Sequence, residues 1–409
     1  MAKWPLRFVH ASDLHLERPL GDLAEIPDHL RDILCDAPYE AARRVFDAAV
    51  GQQVDFIVLA GDVVDVGSAG PRALAFLSDQ FERMAAAGIA VYWSGGRSEA
   101  RSPWPAALPL PAGVHLFEAG HVTSRVHSKA GEPIAELLGT SYTLRSPVGR
   151  DEFQRSRTDL PAIAMSYGKG ELPASESGIV YWARGGKHGR QTSADGQTKA
   201  HFPGTPQGRK PGERGPHGFT LVDIDEASQV RTSLVPVDSV RWHDESLSAP
   251  EGMTSSELAD MLAARAAEIQ ALHGGVELLV RWTVKARGDL AYELRRGSLS
   301  TDLQEQLRSA FSRGRPGLWT VSVASAAETE IPETLFGEET VIGQYLRTLE
   351  GYESDASQPL DFKHYVAERH MQNAIGSATA ISDDAVRRQI LKEAAVLGLD
   401  LLVGKEPQR

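Results

Sequence analysis

"VDFIVLAGDVVD", residues 54–65, sets the run Phe56-Ile57-Val58-Leu59-Ala60 directly ahead of Gly61-Asp62. A short apolar run of this kind, closed by a turn-forming glycine, reads as a strand buried on both faces. Such strands belong to parallel sheets whose faces are covered by helices. Asp62 then stands where a buried strand opens into a loop. A carboxylate there is costly unless it is solvated, hydrogen-bonded or bound to a cation.

The flanking sequence supports that reading. "LRFVHASD" (6–13) is a short strand ending in polar residues, and "YEAARRVFDAAVGQQ" (39–53) has helical periodicity. "RALAFLSDQFERMAAAG" (72–88) is an amphipathic helix stopping at Gly88, and "IAVYWS" (89–94) is another strand. This β-α-β-α-β alternation predicts an α/β sheet with its loops gathered at strand C-termini, where sites lie. Strands at "PAIAMSY" (161–167), "GIVYWA" (178–183), "HGFTLVDID" (217–225) and "VRTSLVPV" (230–237) follow with little helix between them, predicting a mostly antiparallel second half. From about residue 240 helices and strands alternate again, as "SSELADMLAARAAEIQALH" (255–273), "GVELLVRWTVKA" (275–286), "TDLQEQLRSAFSR" (301–313) and "GLWTVSVAS" (317–325). Beyond residue 336 the pattern is helical, with the polar stretch "EGYESDASQPL" (350–360) between "EETVIGQYLRTL" (338–349) and "DDAVRRQILKEAAVLGLDLL" (383–402). The expected domains are therefore 1–240, 241–335 and 336–409.

Length and composition bound the function. The chain has 409 residues, enough for two or three domains. The N-terminus has no long apolar region of the signal-peptide type, and no run approaches the roughly 18–20 apolar residues that cross a bilayer. Its one cysteine, Cys35, excludes an intramolecular disulfide and a cysteine-rich zinc site. A cytoplasmic protein away from membranes is the simplest expectation. The net charge of −12 argues against a protein that coats nucleic acid along its whole surface. A basic run does exist: Arg184, Lys187, Arg190, Lys199, Arg209, Lys210 and Arg214, opposed by Asp195 and Glu213. It reads either as a solvated Gly/Pro-rich loop or as a local phosphate-binding surface.

Chemistry concentrates at three places. Asp13 and His15, two apart, address one face if the segment is extended, and so one metal ion. Asp62 ends the buried strand, while Asp65 reads as a cap or an orienting group. "YWARGGKHGRQ" (181–191) carries His188 just past another strand. Histidines elsewhere read blandly: His10 faces away from Asp13, and His201 and His217 read as surface residues. Trp282 and Trp319 read as core.

Together these motifs resemble the calcineurin-like metallophosphoesterases, and within them the SbcD and YhaO type of DNA-repair exonuclease. "HASDLHLERPL" (10–20) resembles the opening motif and "VDFIVLAGDVVD" the second. "YWARGGKHGRQ" sits at the GHxH motif, and "HFPGTPQGRKPGERGPHGFTLVDID" (201–225) resembles a signature of the YhaO-like branch. "ELLVRWTVKARGDLAYELR" (277–295) is similar to that branch's capping domain. The resemblance implies a four-layer α/β/β/α sandwich, a small α+β capping domain and C-terminal helices. It assigns one metal to Asp13, His15, Asp62 and His188. It also implies a stripped second site. Where the family carries GNHD, this chain has "YWSGGRSEA" (92–100), with Gly96 at the metal-binding Asn and Arg97 at the catalytic His. Tyr167, or Ser166 in the neighbouring register, replaces a strand-end His, and Gly186 replaces the first His of GHxH.

Two metals about 3.5–4 Å apart clamp the attacking and leaving oxygens of a phosphoryl transfer. The degenerate site implies one divalent ion, manganese first with iron and zinc as alternatives, and weak or lost two-metal hydrolysis; no catalytic residue is assigned. Arg97, Lys187 and Arg184 are expected to bind phosphate in place of the missing charge. The alternative is a working one-metal phosphodiesterase or nuclease acting on DNA ends or a smaller phosphodiester. Expected partners are DNA, an SMC-like (SbcC-type) ATPase and a second copy of the chain, the last through the helices at 39–50 and 72–87.

Overall fold

The computed structural model describes residues 5–402 except 22, 24, 145–147, 169–177, 197, 287, 315, 327–332, 356–359, 361–380 and 382; part of the polar stretch 350–360 thus lies outside the described residues. The chain divides into two compact units. The first comprises Met1–His243, Gln270–Leu279 and Arg313–Trp319, and the second Asp244–Ile269, Val280–Ser312 and Thr320–Arg409.

The first unit is built on two six-stranded sheets. β1 (Leu6–Ala11), β2 (Phe56–Leu59), β3 (Ala90–Trp93) and β4 (Val114–Leu116) run parallel, and β11 (Gly218–Ile224) and β12 (Val230–Pro236) extend the sheet antiparallel beyond β1. The second sheet has the order β5 (Thr123–Lys129), β6 (Glu132–Gly139), β7 (Ala162–Tyr167), β8 (Ile179–Gly185), β10 (Thr198–Phe202), β9 (Gln191–Asp195). This is the mixed α/β sandwich that the alternation predicts. The expectation of a mostly antiparallel second half holds for β11 and β12 but is corrected for β7 and β8: β6, β7, β8 and β10 are mutually parallel, with antiparallel β5 and β9 flanking them.

Side-chain alternation explains the layers. On β1, Val9 and Ala11 point into a core shared with α1 (Asp28–Gly51) and α2 (Val66–Ala86), through residues such as Val45, Phe46, Leu77 and Phe81. Phe8, one register away, packs with Phe56, Ile163, Met165 and Tyr181 between the sheets. The outer face of the second sheet buries Phe153, Trp182 and Ala164. Stacking of this kind gives each strand two apolar faces, which is why the sequence reads as continuous apolar runs.

α4 (Ser255–Leu272), α5 (Gly288–Arg296) and α6 (Ser298–Phe311) accompany a three-stranded sheet of β13 (Val240–Ser248), β14 (Glu277–Lys285) and β15 (Leu318–Ser325), whose strands each begin in residues of the first unit and continue in the second. Trp282 is buried and its indole donates to Thr320 Oγ1 at 3.2 Å. α7 (Glu333–Phe336), α8 (Val341–Ser354) and α9 (Asp384–Leu402) follow, with Tyr345 Oη donating to Ala394 O at 2.7 Å across the last pair. No helix among the described residues is long and apolar enough to cross a membrane.

Candidate metal centre

The loops after β1 and β2 are bound to each other: Asp13 N donates to Gly61 O (2.9 Å), His15 N to Asp62 O (3.0 Å) and Leu16 N to Val63 O (3.2 Å). The segment is not extended, as the two-residue spacing assumed. Asp13, His15 and Asp62 hold φ of 56°, 46° and 50°, three of the six non-glycine residues at positive φ among the described residues. Each such conformation costs on the order of 1 kcal/mol and persists only where surrounding bonds impose it. Here it turns alternate side chains toward one point.

At that point Asp13, His15 and His188 offer ligand atoms all within 4.8 Å of one another. Asp13 Oδ2 accepts from Ser12 Oγ (2.6 Å) and Gly186 N (3.0 Å), whereas the buried Asp13 Oδ1 and His15 Nε2 have no hydrogen-bond partner. Those two atoms are 4.0 Å apart. Buried polar atoms are ordinarily satisfied. Two orphans of opposite preference beside a second imidazole fit one cation coordinated by carboxylate and histidine. Burial also raises the Asp13 carboxyl above its ordinary pKa, against the opposing Ser12 hydroxyl and His188. A bound cation would remove that penalty.

Each imidazole is backed by a carboxylate. Glu17 Oε1 lies 3.1 Å from His15 Nδ1, and Glu213 Oε1 lies 2.6 Å from His188 Nδ1. Burial alone would raise Glu213, but its bonds to His188 and to Arg209 N outweigh this and hold it at about 2. Such carboxylate–histidine pairs turn the opposite ring nitrogen toward a metal and raise its basicity.

Asp62 stands differently. Its Oδ2 is 3.8 Å from His15 Nε2, but both oxygens are engaged: Oδ1 accepts from Ser98 N (2.7 Å) and Oδ2 from Tyr167 Oη (2.5 Å). Burial, and then the bond to Asp62, push the Tyr167 phenol far up, so it remains a donor. Glu99 organises the loop beneath by accepting from the backbone N–H of Asp62, Val63, Val64 and Gly96 at 2.7–3.1 Å. Its carboxyl is pushed up to about 7 by burial, with those bonds opposing. Asp65 is the N-cap of α2, accepting from Gly67 N, as its position in the loop suggested.

The positions expected to bind phosphate separate. Arg97 is exposed at the start of α3 (Arg97–Arg101), its guanidinium 5.9 Å from the Tyr142 ring. Lys187 lies over Phe202 at 4.7 Å and donates to Gln191 Oε1. Arg184 is 95% buried, stacked at 4.9 Å on Phe202, and donates to Gly168 O.

The Gly/Pro-rich stretch is not a uniform basic loop. β9 and β10 pair antiparallel as a hairpin, and residues 201–209 are buried. Thr205 ties the site together, its N–H donating to His188 O (3.0 Å) and its hydroxyl to Asp13 O (2.9 Å). Arg209 is buried with Nη1 3.4 Å from His15 O, and Lys199 and Arg190 reach carbonyls of β12. His201 is fully buried, correcting its reading as a surface residue. It bonds Thr192 and Thr220 at 2.7 Å each, because strand β10 turns it between the sheets. His217 is half-buried and bonds Thr205 O; with His188, Arg190 and Arg214 it lines a cavity of about 270 Å³.

Sequence reasoning missed Glu17, Glu99, Glu213 and Thr205. The alternate-residue argument that joins Asp13 to His15 extends to Glu17 and was the available signal. Nothing local marks the other three, whose partners are distant in sequence.

Residues 6–162 match the family model for calcineurin-like phosphoesterases. The protein named "Uncharacterized metallophosphoesterase YhaO" of Bacillus subtilis (strain 168) is 30% identical over 274 residues, covering 63% of this chain and 66% of that protein, just short of two thirds of its length. Among solved structures, a dimetal phosphatase from Danio rerio is 12% identical with a TM-score of 0.34, over 56% of this chain and 98% of that one. A conserved protein of Streptococcus pneumoniae described as a predicted phosphoesterase is 14% identical with a TM-score of 0.27, over 57% and 100%.

Proposed function

Taking residues 6–162 as a domain of the calcineurin-like metallophosphoesterase superfamily, we propose that this protein holds one divalent ion, binds DNA through it, and hydrolyses phosphodiesters slowly or not at all. One observation carries the reading: two carboxylate-backed imidazoles and the unpartnered Asp13 Oδ1 converge on a single point. Asp13, His15 and His188 would hold the ion, with Asp62 beside His15. When bound, such an ion supplies Lewis-acid polarisation of a phosphoryl oxygen. The mixed carboxylate and imidazole set suits manganese, iron or zinc.

The chain's own residues set the limits of the chemistry. Glu17 and Glu213 orient the imidazoles, and Tyr167 donates a hydrogen bond to Asp62 while keeping its proton. The exposed Arg97 stands where the family resemblance implies a histidine, and a guanidinium does not transfer protons at neutral pH. Loss of general acid–base assistance is worth roughly 10²–10⁴-fold. Arg97 and Lys187 would supply charge-assisted bonds to a backbone or terminal phosphate. Replacing both by alanine should weaken DNA affinity and flatten its salt dependence, measured by fluorescence anisotropy; unchanged affinity would remove them from the reading. An SMC-like ATPase partner and self-association belong to the same proposal.

A second reading, a working one-metal phosphodiesterase, draws support from the retained backing carboxylates, which a purely structural remnant would not need. Degradation of end-labelled linear duplex DNA in manganese separates the two. Wild type matching Asp62→Ala means binding without turnover, and cleavage by wild type alone means a catalyst.

A further inference from the structure

We propose that Tyr167 is the residue that fixes the cation capacity of this centre, closing the space beside Asp62 that a further ion would need. The inference deepens the one-ion reading above. It rests on how Tyr167 is seated. Its hydroxyl occupies Asp62 Oδ2 at 2.5 Å, while Ser98 N occupies Oδ1. Both Asp62 oxygens are therefore engaged, and the phenol that engages Oδ2 brings its ring into the space beside it.

The ring cannot simply swing aside, because three glycines from three different strand ends are shaped to it. A Cβ at Gly61 would stand 2.6 Å from Tyr167 Cδ2, one at Gly96 2.8 Å from the same atom, and one at Gly186 3.0 Å from Tyr167 Cζ. The first two are shorter than real Cβ contacts in packed interiors, and the third is tighter than nearly all of them. Tyr142 covers the ring edge-on at 5.5 Å, and Arg97 lies over Tyr142. Gly61, Gly96 and Gly186 thus leave the room that the tyrosine ring takes, although a Cβ at Gly96 would also meet Asp62 N at 2.5 Å. A neutral phenol also contributes no ligand charge, whereas an imidazole in its place would add a metal-binding nitrogen next to a freed carboxylate oxygen.

The test counts manganese ions bound per chain, by equilibrium dialysis and elemental analysis, for wild type, Tyr167→Phe, Tyr167→Ala and Tyr167→His. Thermal melts accompany each. The expected result is one more ion in Tyr167→His and Tyr167→Ala than in wild type, with Tyr167→Phe unchanged because its ring still fills the seat. An equal count in all four overturns the proposal. So does an extra ion in Tyr167→Phe, which would make the hydroxyl, not the ring, the obstacle. A wild type that binds none while Tyr167→His gains one would sink the one-ion reading and leave the role of Tyr167 standing. Gly186→Ala keeps the inference exposed even if Tyr167→Ala fails to fold. It should lower the melting temperature more in wild type than in Tyr167→His, and equal losses in both backgrounds also overturn it.

Discussion

Glu213 and Glu17 touch no expected substrate, yet each holds a ring nitrogen of a candidate ligand, at 2.6 Å on His188 and 3.1 Å on His15. If they fix tautomer and orientation, the neutral variants Glu17→Gln and Glu213→Gln should each weaken manganese affinity about 10–100-fold by isothermal titration calorimetry. The fold should persist, since the amide oxygen can still accept a hydrogen bond. Affinity within a factor of two of wild type would show the pairs to be structural only. Asp13, His15 and His188, whose ligand atoms converge, stood out because each follows an apolar strand, whereas their grouping with Asp62 as one ligand set came from the resemblance. Glu213 was read merely as a charge opposing a basic run, because its partner lies 25 residues away and is brought near only by the buried turn around Thr205.

Among the elements, the short helix α3 shows how a site can depend on a residue with no ligand role. Glu99 accepts three backbone N–H groups of the turn after β2 and that of Gly96 at the start of its own helix. Glu99→Ala would bury those donors unsatisfied, at about 1–3 kcal/mol each before relaxation. Chemical denaturation should show a loss of at least about 3 kcal/mol, well above the typical surface substitution. A loss below about 1 kcal/mol would mean that water enters the turn and replaces the carboxylate. Sequence periodicity placed the first helix at 39–53, but α1 begins at Asp28, eleven residues earlier, and carries Pro38 inside it. Proline is a breaker by local propensity, and tertiary packing overrides it here: Leu30, Leu34 and Pro38 itself are buried on the helix. The β9–β10 hairpin escaped notice for the opposite reason. "QTSAD" and "TKAHF" lack the apolar density of the inner strands, and their place is set by pairing, with β10 parallel to β8.

At the scale of the first unit, the two sheets meet through a largely apolar core that also buries histidines, two of them close together. His10 on β1 approaches Tyr181 Oη at 2.8 Å, and its ring lies 5.9 Å from His201, which bonds Thr220 on β11. Inward-facing positions of β1 were legible from alternation, but the pairing of two buried imidazoles across the sheets was not, since it depends on how one sheet lies on the other. Burial, with Arg190 and Lys199 adding to it, takes His201 from 6.5 down to about 3, and burial followed by His201 lowers His10 as well. The unfolded chain therefore binds protons that the folded unit refuses. Stability contributed by the neutral rings is present above pH 6.5 and is lost progressively as the pH falls toward 3. His201 contributes a slope on the order of 1.4 kcal/mol per pH unit within that window. Urea midpoints measured from pH 7 to pH 4 should fall steeply for wild type and less steeply for His201→Gln, which keeps a hydrogen-bonding side chain between Thr192 and Thr220 but cannot take up a proton. Parallel curves for the two proteins would place the acid sensitivity elsewhere in the molecule, and the imidazole pair would then be an ordinary buried contact.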